Sequence, residues 1–196
     1  VNDCLDRIPE HVWSDPHLRW LDTGSGVGNF SLLVMLRLYD SLRTSIEDDD
    51  ARLTHIVTNM LYMVEICPDN IRKCRTIFGN LANIVQSDFL AHDLNVGMYD
   101  YDVIIGNPPY NLDGNKSKGQ KNVYALFARK ALDMLKPGGY LAYLHPPGYR
   151  NGPDSIQATK TDLNELYTSR QIISIRVYEP PEVLKLLGNI MINIDC

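Results

Sequence analysis

The stretch Leu18-Arg19-Trp20-Leu21-Asp22-Thr23-Gly24-Ser25-Gly26-Val27-Gly28-Asn29-Phe30 contains the change of period that decides the fold. Leu18 to Leu21 reads as a short strand, and apolar residues at Leu32, Leu33, Leu36 and Ile46 then recur at helical spacing. That spacing predicts a helix from about Asn29 to Ile46. Between strand and helix lies a glycine-rich turn. Such a turn lets a ligand approach the backbone closely and offers amide N–H groups at a helix N-terminus. Dinucleotide enzymes use G-x-G-x-x-G with a ribose-binding acid about 20 residues beyond it. Here the glycines fall at i, i+2 and i+4, and an acid, Asp22, precedes them. By itself the turn is weak evidence, since a tight strand-to-helix connection with no ligand is also open.

The alternation continues outward from it. The acidic run Glu47 to Asp50 reads as a solvated loop, and Ala51 to Met60 resumes a helical pattern. Leu61 to Ile66 is a buried-strand run ending at Glu65. Pro68 then suits the first turn of a helix, and Asp69 the positive end of its dipole. Ile84-Val85 leads to Gln86-Ser87-Asp88, another strand closing on an acid. Asp102 to Gly106 reads as a strand buried on both faces. Asn111 to Asn122 reads as a mobile loop. A helix from Tyr124 to Leu135 is stopped by Lys136-Pro137-Gly138-Gly139, and a strand from Tyr140 to Leu144 ends at His145-Pro146-Pro147. A helix over Asp154 to Ser169 and strands over Ile172 to Tyr178 and Gly188 to Ile194 complete the pattern. Strands alternating with helices predict an α/β fold: a mostly parallel sheet with helices on both faces.

No internal repeat or linker divides the 196 residues, so a single domain over 1–196 is expected. The chain opens abruptly at Val1 and closes on Ile192-Asn193-Ile194-Asp195-Cys196 like an unfinished strand, and reads as a domain excised from something longer. With 44% hydrophobic and 22% charged residues the composition is ordinary. No apolar run approaches the ~20 residues needed to span a membrane, and the N-terminus lacks a basic-then-apolar signal pattern. The four cysteines show no C-x-x-C spacing, which fits reduced thiols in a cytoplasmic compartment. The histidines form no metal-ligand pair, so no metal is expected. A net charge of −5 argues against a chain that grips a nucleic-acid backbone by itself over a large surface.

Two features carry chemistry. Asn107-Pro108-Pro109-Tyr110 follows the strand Asp102 to Gly106, and its two prolines remove two donors, fix two φ angles and hold Asn107 extended. The result is a stiff ledge presenting one amide, unobstructed carbonyls and one aromatic ring at a strand's carboxyl end, where open α/β sheets bind ligands. It suits a planar amine-bearing substrate such as a nucleobase. The second feature is the set of acids Asp22, Glu65 and Asp88 at the ends of three successive strands. Together they can hold an amino group, a ribose diol and an adenine amine. That inventory matches S-adenosyl-L-methionine.

Asp22 to Phe30, Asn59 to Ile66, Ser87-Asp88-Phe89, Ile105 to Tyr110 and Leu135 to Gly139 occur in that order. Over roughly residues 18 to 195, this arrangement resembles the catalytic domain of adenine-N6 DNA methyltransferases. The nearest likeness is to the gamma-type enzymes of restriction-modification systems, whose cofactor motif precedes N-P-P-Y. The resemblance implies the Rossmann-like fold of class I S-adenosylmethionine-dependent methyltransferases, with DNA as the partner. It implies that Asp22, Gly24 and Gly26 line the methionine end of the cofactor, that Glu65 accepts from the ribose hydroxyls, and that Ile66 packs on its adenine. Asp88 would bond the adenine amine, with Phe89 or Phe30 packing nearby. Asn107 and the Pro108 carbonyl would accept from the target N6 amine, Pro109 would stiffen the ledge, and Tyr110 would stack on an extruded base.

Other acceptors stay open on the residues alone. Glutamine-N5 methyltransferases acting on release factors and RNA base methyltransferases also use an N-P-P-Y ledge, and an inactive nucleic-acid-binding subunit could keep the fold. The long Phe30 to Leu61 insertion and the Asn59-to-Glu65 approach favour DNA. The target-recognition region usual after such catalytic domains is not evident and would be a separate or missing partner.

Overall fold

The protein is described from a computed structural model that covers residues 1–91, 100–109, 123–145 and 170–178. It divides into two units, 1–145 and 146–196. In the second, residues 171–178 have no regular secondary structure and 171–176 are exposed, so the strand expected from Ile172 to Tyr178 is absent there. Its apolar residues have no sheet to bury them among the described residues of that unit. The helix expected over Asp154 to Ser169, the strand over Gly188 to Ile194, the loop Asn111 to Asn122 and Tyr110 lie outside the described residues.

In the first unit the chain runs through α1 (Asn2–Leu5), α2 (Glu10–Trp13), β1 (Trp20–Asp22), α3 (Asn29–Ser41) and α4 (Asp49–His55). A π-helical turn (Ile56–Met60) then leads into β2 (Leu61–Glu65), α5 (Pro68–Phe78), β3 (Asn83–Gln86), β4 (Tyr101–Gly106), α6 (Val123–Asp133) and β5 (Leu135–Tyr143). All neighbouring strands pair parallel, in the order β3-β2-β1-β4-β5. The order reverses between β1 and β4, which makes their carboxyl ends the topological switch point.

Both faces of the sheet are covered, as the alternation implied. Residues alternate across each strand. Trp20, Leu61, Met63, Val103 and Ile105 join one apolar cluster with Phe30, Val34 and Leu38 of α3 and Cys74 and Phe78 of α5. Leu21, Val64 and Ile104 join another with Phe89 and with Val123, Phe127 and Ala131 of α6. Near the start of the strands the Arg19 guanidinium lies over the rings of Tyr62 (4.8 Å) and Tyr101 (5.0 Å). Asp102 there accepts from the Arg19 backbone N–H at 2.8 Å and from Lys136 at 2.8 Å.

Three local expectations change. The acidic run is not a plain loop: Asp48 caps α4 by accepting the Ala51 N–H at 2.7 Å, and Asp49 pairs with Arg52. Carboxylates at a helix N-terminus are stabilised by its dipole, which explains why this run begins an element. The helix expected from Ala51 to Met60 is split, α-helical to His55 and π-helical beyond. Finally, Lys136 to Gly139 lies within β5: Tyr101 pairs with Leu135 and Val103 with Tyr140, so these four residues form an excursion in the ladder. Gly138, at φ +80°, lets the backbone make it.

Gly28 fixes how α3 leaves the turn. It adopts φ +93°, and a Cβ there would stand 2.7 Å from Phe78 Cε2 and 3.4 Å from Cys74 Sγ. Gly28→Ala therefore combines a left-handed conformation with a clash against α5. A loss of about 2–4 kcal/mol of stability is expected, readable as a lowered urea midpoint.

Candidate active site

The site is built at the carboxyl ends of β1, β2 and β4. Registers place Asp22 level with Met63 on one side and Ile105 on the other. Glu65 and Asn107 each lie two residues further along their chains, roughly 6–7 Å beyond that row at a strand's rise per residue. Asp22 thus forms the floor of a trough flanked by an acid and by the ledge. Asn107 and Pro109 are exposed, whereas Pro108 is buried and anchors the ledge.

Asp22 is fully buried. Its Oδ2 accepts from Ser31 Oγ at 2.8 Å and its Oδ1 lies 3.4 Å from the Gly24 N–H. Burial pushes its carboxyl up to about 6, opposed by the Ser31 and Gly24 hydrogen bonds and assisted by the Glu65 charge. Glu65 braces the turn: Oε2 accepts the Gly26 N–H at 2.7 Å and Oε1 the Cys67 N–H at 2.7 Å. Each oxygen keeps a second lone pair for a ligand hydroxyl. Ser25 N–H donates to the Val64 carbonyl at 3.0 Å, and Cys74 Sγ lies 3.4 Å from the Gly26 carbonyl. The glycine turn is therefore tied to β2 and α5 before any ligand arrives.

The remaining expected residues fall in two groups. Asp88 is exposed just beyond β3 and accepts the Leu90 N–H at 2.9 Å. Ile66 is 64% exposed beside Glu65, an apolar surface at a strand end with room for a flat ring. Phe30 and Phe89, in contrast, are core residues on opposite faces of the sheet, and Phe89 lies against Phe127 at 4.9 Å. Ser31, which holds Asp22, adjoins the site although no motif named it, and Thr23 and Tyr143 are bonded to each other beside it. A polar residue two places into a helix that otherwise buries apolar groups was the only sequence sign of Ser31.

The groups at these strand ends match S-adenosylmethionine in kind. Open space surrounds the Cβ position of Gly26, with nothing within 4 Å, while Gly28 at the helix end of the turn is packed against Phe78 and Cys74. A buried carboxyl held by one hydroxyl, an acid at the ribose level and an exposed isoleucine suit an ammonium, a diol and a purine respectively. The residues fit the group. Among the described residues no cluster of His, Cys, Asp and Glu is placed to hold a metal ion, and no helix is long and apolar enough to cross a membrane.

The family model described as Eco57I restriction-modification methylase matches residues 30–179. The chain belongs to that family. It is 25% identical to an uncharacterized adenine-specific methylase of Mycoplasma pneumoniae, over 89% of this chain and 59% of that protein. It is likewise 25% identical to the tRNA1(Val) (adenine(37)-N6)-methyltransferase of Bacteroides fragilis, over 91% of this chain and 71% of that protein. A class I S-adenosylmethionine-dependent methyltransferase structure from Listeria monocytogenes, so described as putative, matches with a TM-score of 0.51 at 16% identity. The match covers 85% of this chain and 47% of that one. The fold of this restriction-modification methylase domain is thus the class I methyltransferase fold, which implies S-adenosylmethionine as cofactor. The chain spans little more than half the length of the Mycoplasma relative.

Proposed function

We propose that this domain transfers a methyl group from S-adenosylmethionine to the exocyclic N6 amine of adenine in DNA, as the modification half of a restriction-modification system. The observation that carries the reading is the exit of β4 at the switch point. Exposed Asn107, on a proline ledge anchored by buried Pro108, stands beside the buried acid Asp22. Membership of the restriction-modification methylase family supports DNA as the polymer.

Bound S-adenosylmethionine supplies an electrophilic methyl group on a sulfonium. Asp22, Gly24 and Gly26 would hold its methionine end, Glu65 its ribose, and Ile66 and Asp88 its adenine. The chain's other task is to make an amine nucleophilic. The lone pair of an adenine amine is delocalised into the ring. Acceptors at Asn107 Oδ1 and the Pro108 carbonyl, set outside the ring plane, would favour a pyramidal nitrogen whose lone pair points at the methyl group. They would also accept a hydrogen bond from the proton that becomes acidic as the N–C bond forms and the S–C bond breaks, until it passes to water. Positioning and electrostatics then carry most of the rate, without a strong base. Tyr110 would offer the face on which an extruded base stacks.

A single-turnover assay with the chain in excess over substrate tests this, using labelled methyl donor and DNA, tRNA or release factor as acceptor. Label at adenine N6 of DNA is expected. Label confined to RNA or protein overturns the acceptor. Absence of calorimetric heat with high-micromolar S-adenosylmethionine overturns the enzyme reading. A net charge of −5 disfavours an extensive phosphate grip by this chain, and a target-recognition region elsewhere would supply the sequence-specific grip.

A further inference from the structure

The strand ends around the ledge are joined by side chains as well as by backbone. Thr23, immediately after β1, and Tyr143, the last residue of β5, share a hydrogen bond between their hydroxyls at 2.7 Å. β4 runs between those two strands, so the bridge passes over its final residue, Gly106. A Cβ on Gly106 would stand 2.7 Å from Thr23 Oγ1 and 3.1 Å from Tyr143 Cε1. The hydroxyl pair thus occupies the space a side chain would take, and no other residue type fits there without moving it. Backbone bonds close the same corner: Thr23 N–H donates to the Ile105 carbonyl at 3.3 Å and Leu144 N–H to the Gly106 carbonyl at 3.0 Å. Thr23 is 1% exposed, so the bond is buried at its threonine end, while Tyr143 is half-buried. The residue that emerges from beneath this bridge is Asn107. Beyond it, Pro108 and Pro109 contribute no N–H to any ladder.

We propose that Thr23 and Tyr143 are positioning residues. Their bridge across Gly106 sets the direction in which Asn107 leaves β4, and with it the alignment of the amine-holding acceptors. The inference rests on the ledge being the methyl-transfer site. A bridge that only fastened the sheet would affect stability and leave the transfer rate at saturating cofactor and DNA untouched.

The test compares Tyr143→Phe, the double variant Thr23→Val/Tyr143→Phe, and Thr23→Ser. The double variant removes both hydroxyls, so neither is left without the other, and its melting temperature is measured alongside to confirm that it folds. Transfer at saturating cofactor and DNA is expected to slow by about ten- to a hundredfold in Tyr143→Phe, the scale for a misplacement of order 1 Å. The double variant should be no slower than Tyr143→Phe, since the two hydroxyls act as one unit. Thr23→Ser should keep the rate within roughly threefold, and cofactor affinity should hold in all three. Amide hydrogen exchange at Asn107 should accelerate in the first two variants while α3 is unchanged. An unchanged rate at saturation, or a slowing explained wholly by weaker cofactor binding, overturns the proposal. Should the parent chain methylate no acceptor, the functional reading fails instead. The exchange measurement still decides the bridge, because unaltered exchange at Asn107 overturns it.

Discussion

Asn107→Ala is expected to slow methyl transfer by about a hundredfold or more, the scale on which single preorganised polar groups act on a developing charge. Cofactor affinity should stay within about twofold of the parent, as befits a group that acts on the reaction rather than on binding. Asn107 is exposed, so truncation opens no cavity. Thermal stability should therefore move little, by roughly 0.5 kcal/mol or less. The physical basis is geometric. Asn107 lies past the end of β4, two residues beyond the row of Asp22, while buried Pro108 keeps the following carbonyl in place. Removing the amide leaves one acceptor, which cannot by itself hold an amine out of the ring plane. Rapid-quench transfer rates paired with calorimetry separate the two effects. Equal losses of rate and of cofactor affinity would refute the assigned role.

Asp22→Asn is expected to give two opposite changes. The folded carboxyl keeps its proton up to about pH 6, whereas the ordinary value is 3.8. Between those values the folded state binds more protons than the unfolded one, so stability falls as pH rises through the window. The total is about 3 kcal/mol, lost by pH 7. Asn carries no charge to bury and can still accept from Ser31. The variant should match the parent near pH 4 and melt at a higher temperature near pH 7. Cofactor binding should move the other way. An ionised Asp22 against the glycine turn favours a cationic group there, so the parent's affinity should rise as pH passes 6. The asparagine variant should bind about tenfold or more weakly at neutral pH and lose that pH dependence. Calorimetry and thermal melts at pH 4.5, 6 and 7.5 check both. A parent affinity flat across this range would remove Asp22 from the cofactor's charge recognition. The pattern is that of a site which gives up stability to keep an ion poised.

Much of the fold was legible along the chain because its signals are local. The glycine turn, the proline at the start of α5 and the apolar strands each specify their own conformation within a few residues. The departures arise where a tertiary or capping interaction outweighs pattern. Asp48 and Asp49 begin α4 because carboxylates complement a helix N-terminus, although a run of acids reads as solvent-facing. Lys136 to Gly139 looks like a stop, yet it lies within β5 because Leu135 already pairs with Tyr101. Among the candidate site residues, Asp22, Glu65, Ile66, Asp88 and Asn107 all fall at the strand-end rim. Phe30 and Phe89, expected to pack near the cofactor, lie in the two apolar clusters, and sequence alone does not distinguish an aromatic residue that lines a pocket from one that fills a core.

The linear order of residues determined which conformations the backbone could take: a tight turn at the glycines, a stiff ledge at the two prolines, strands ending on acids. Those are short-range steric and dipolar constraints, and they hold whatever lies nearby. Tertiary structure alone decided what each polar group meets. It set β1 beside β4, which brings Asp22 next to the ledge from more than eighty residues away in sequence. It buried Asp22, which raises its carboxyl, and set Ser31 against it, which partly offsets that rise. It also drew Thr23 and Tyr143 together over Gly106. Burial and hydrogen-bond partnership depend on which distant segments occupy the same space, and that is settled only when the sheet assembles.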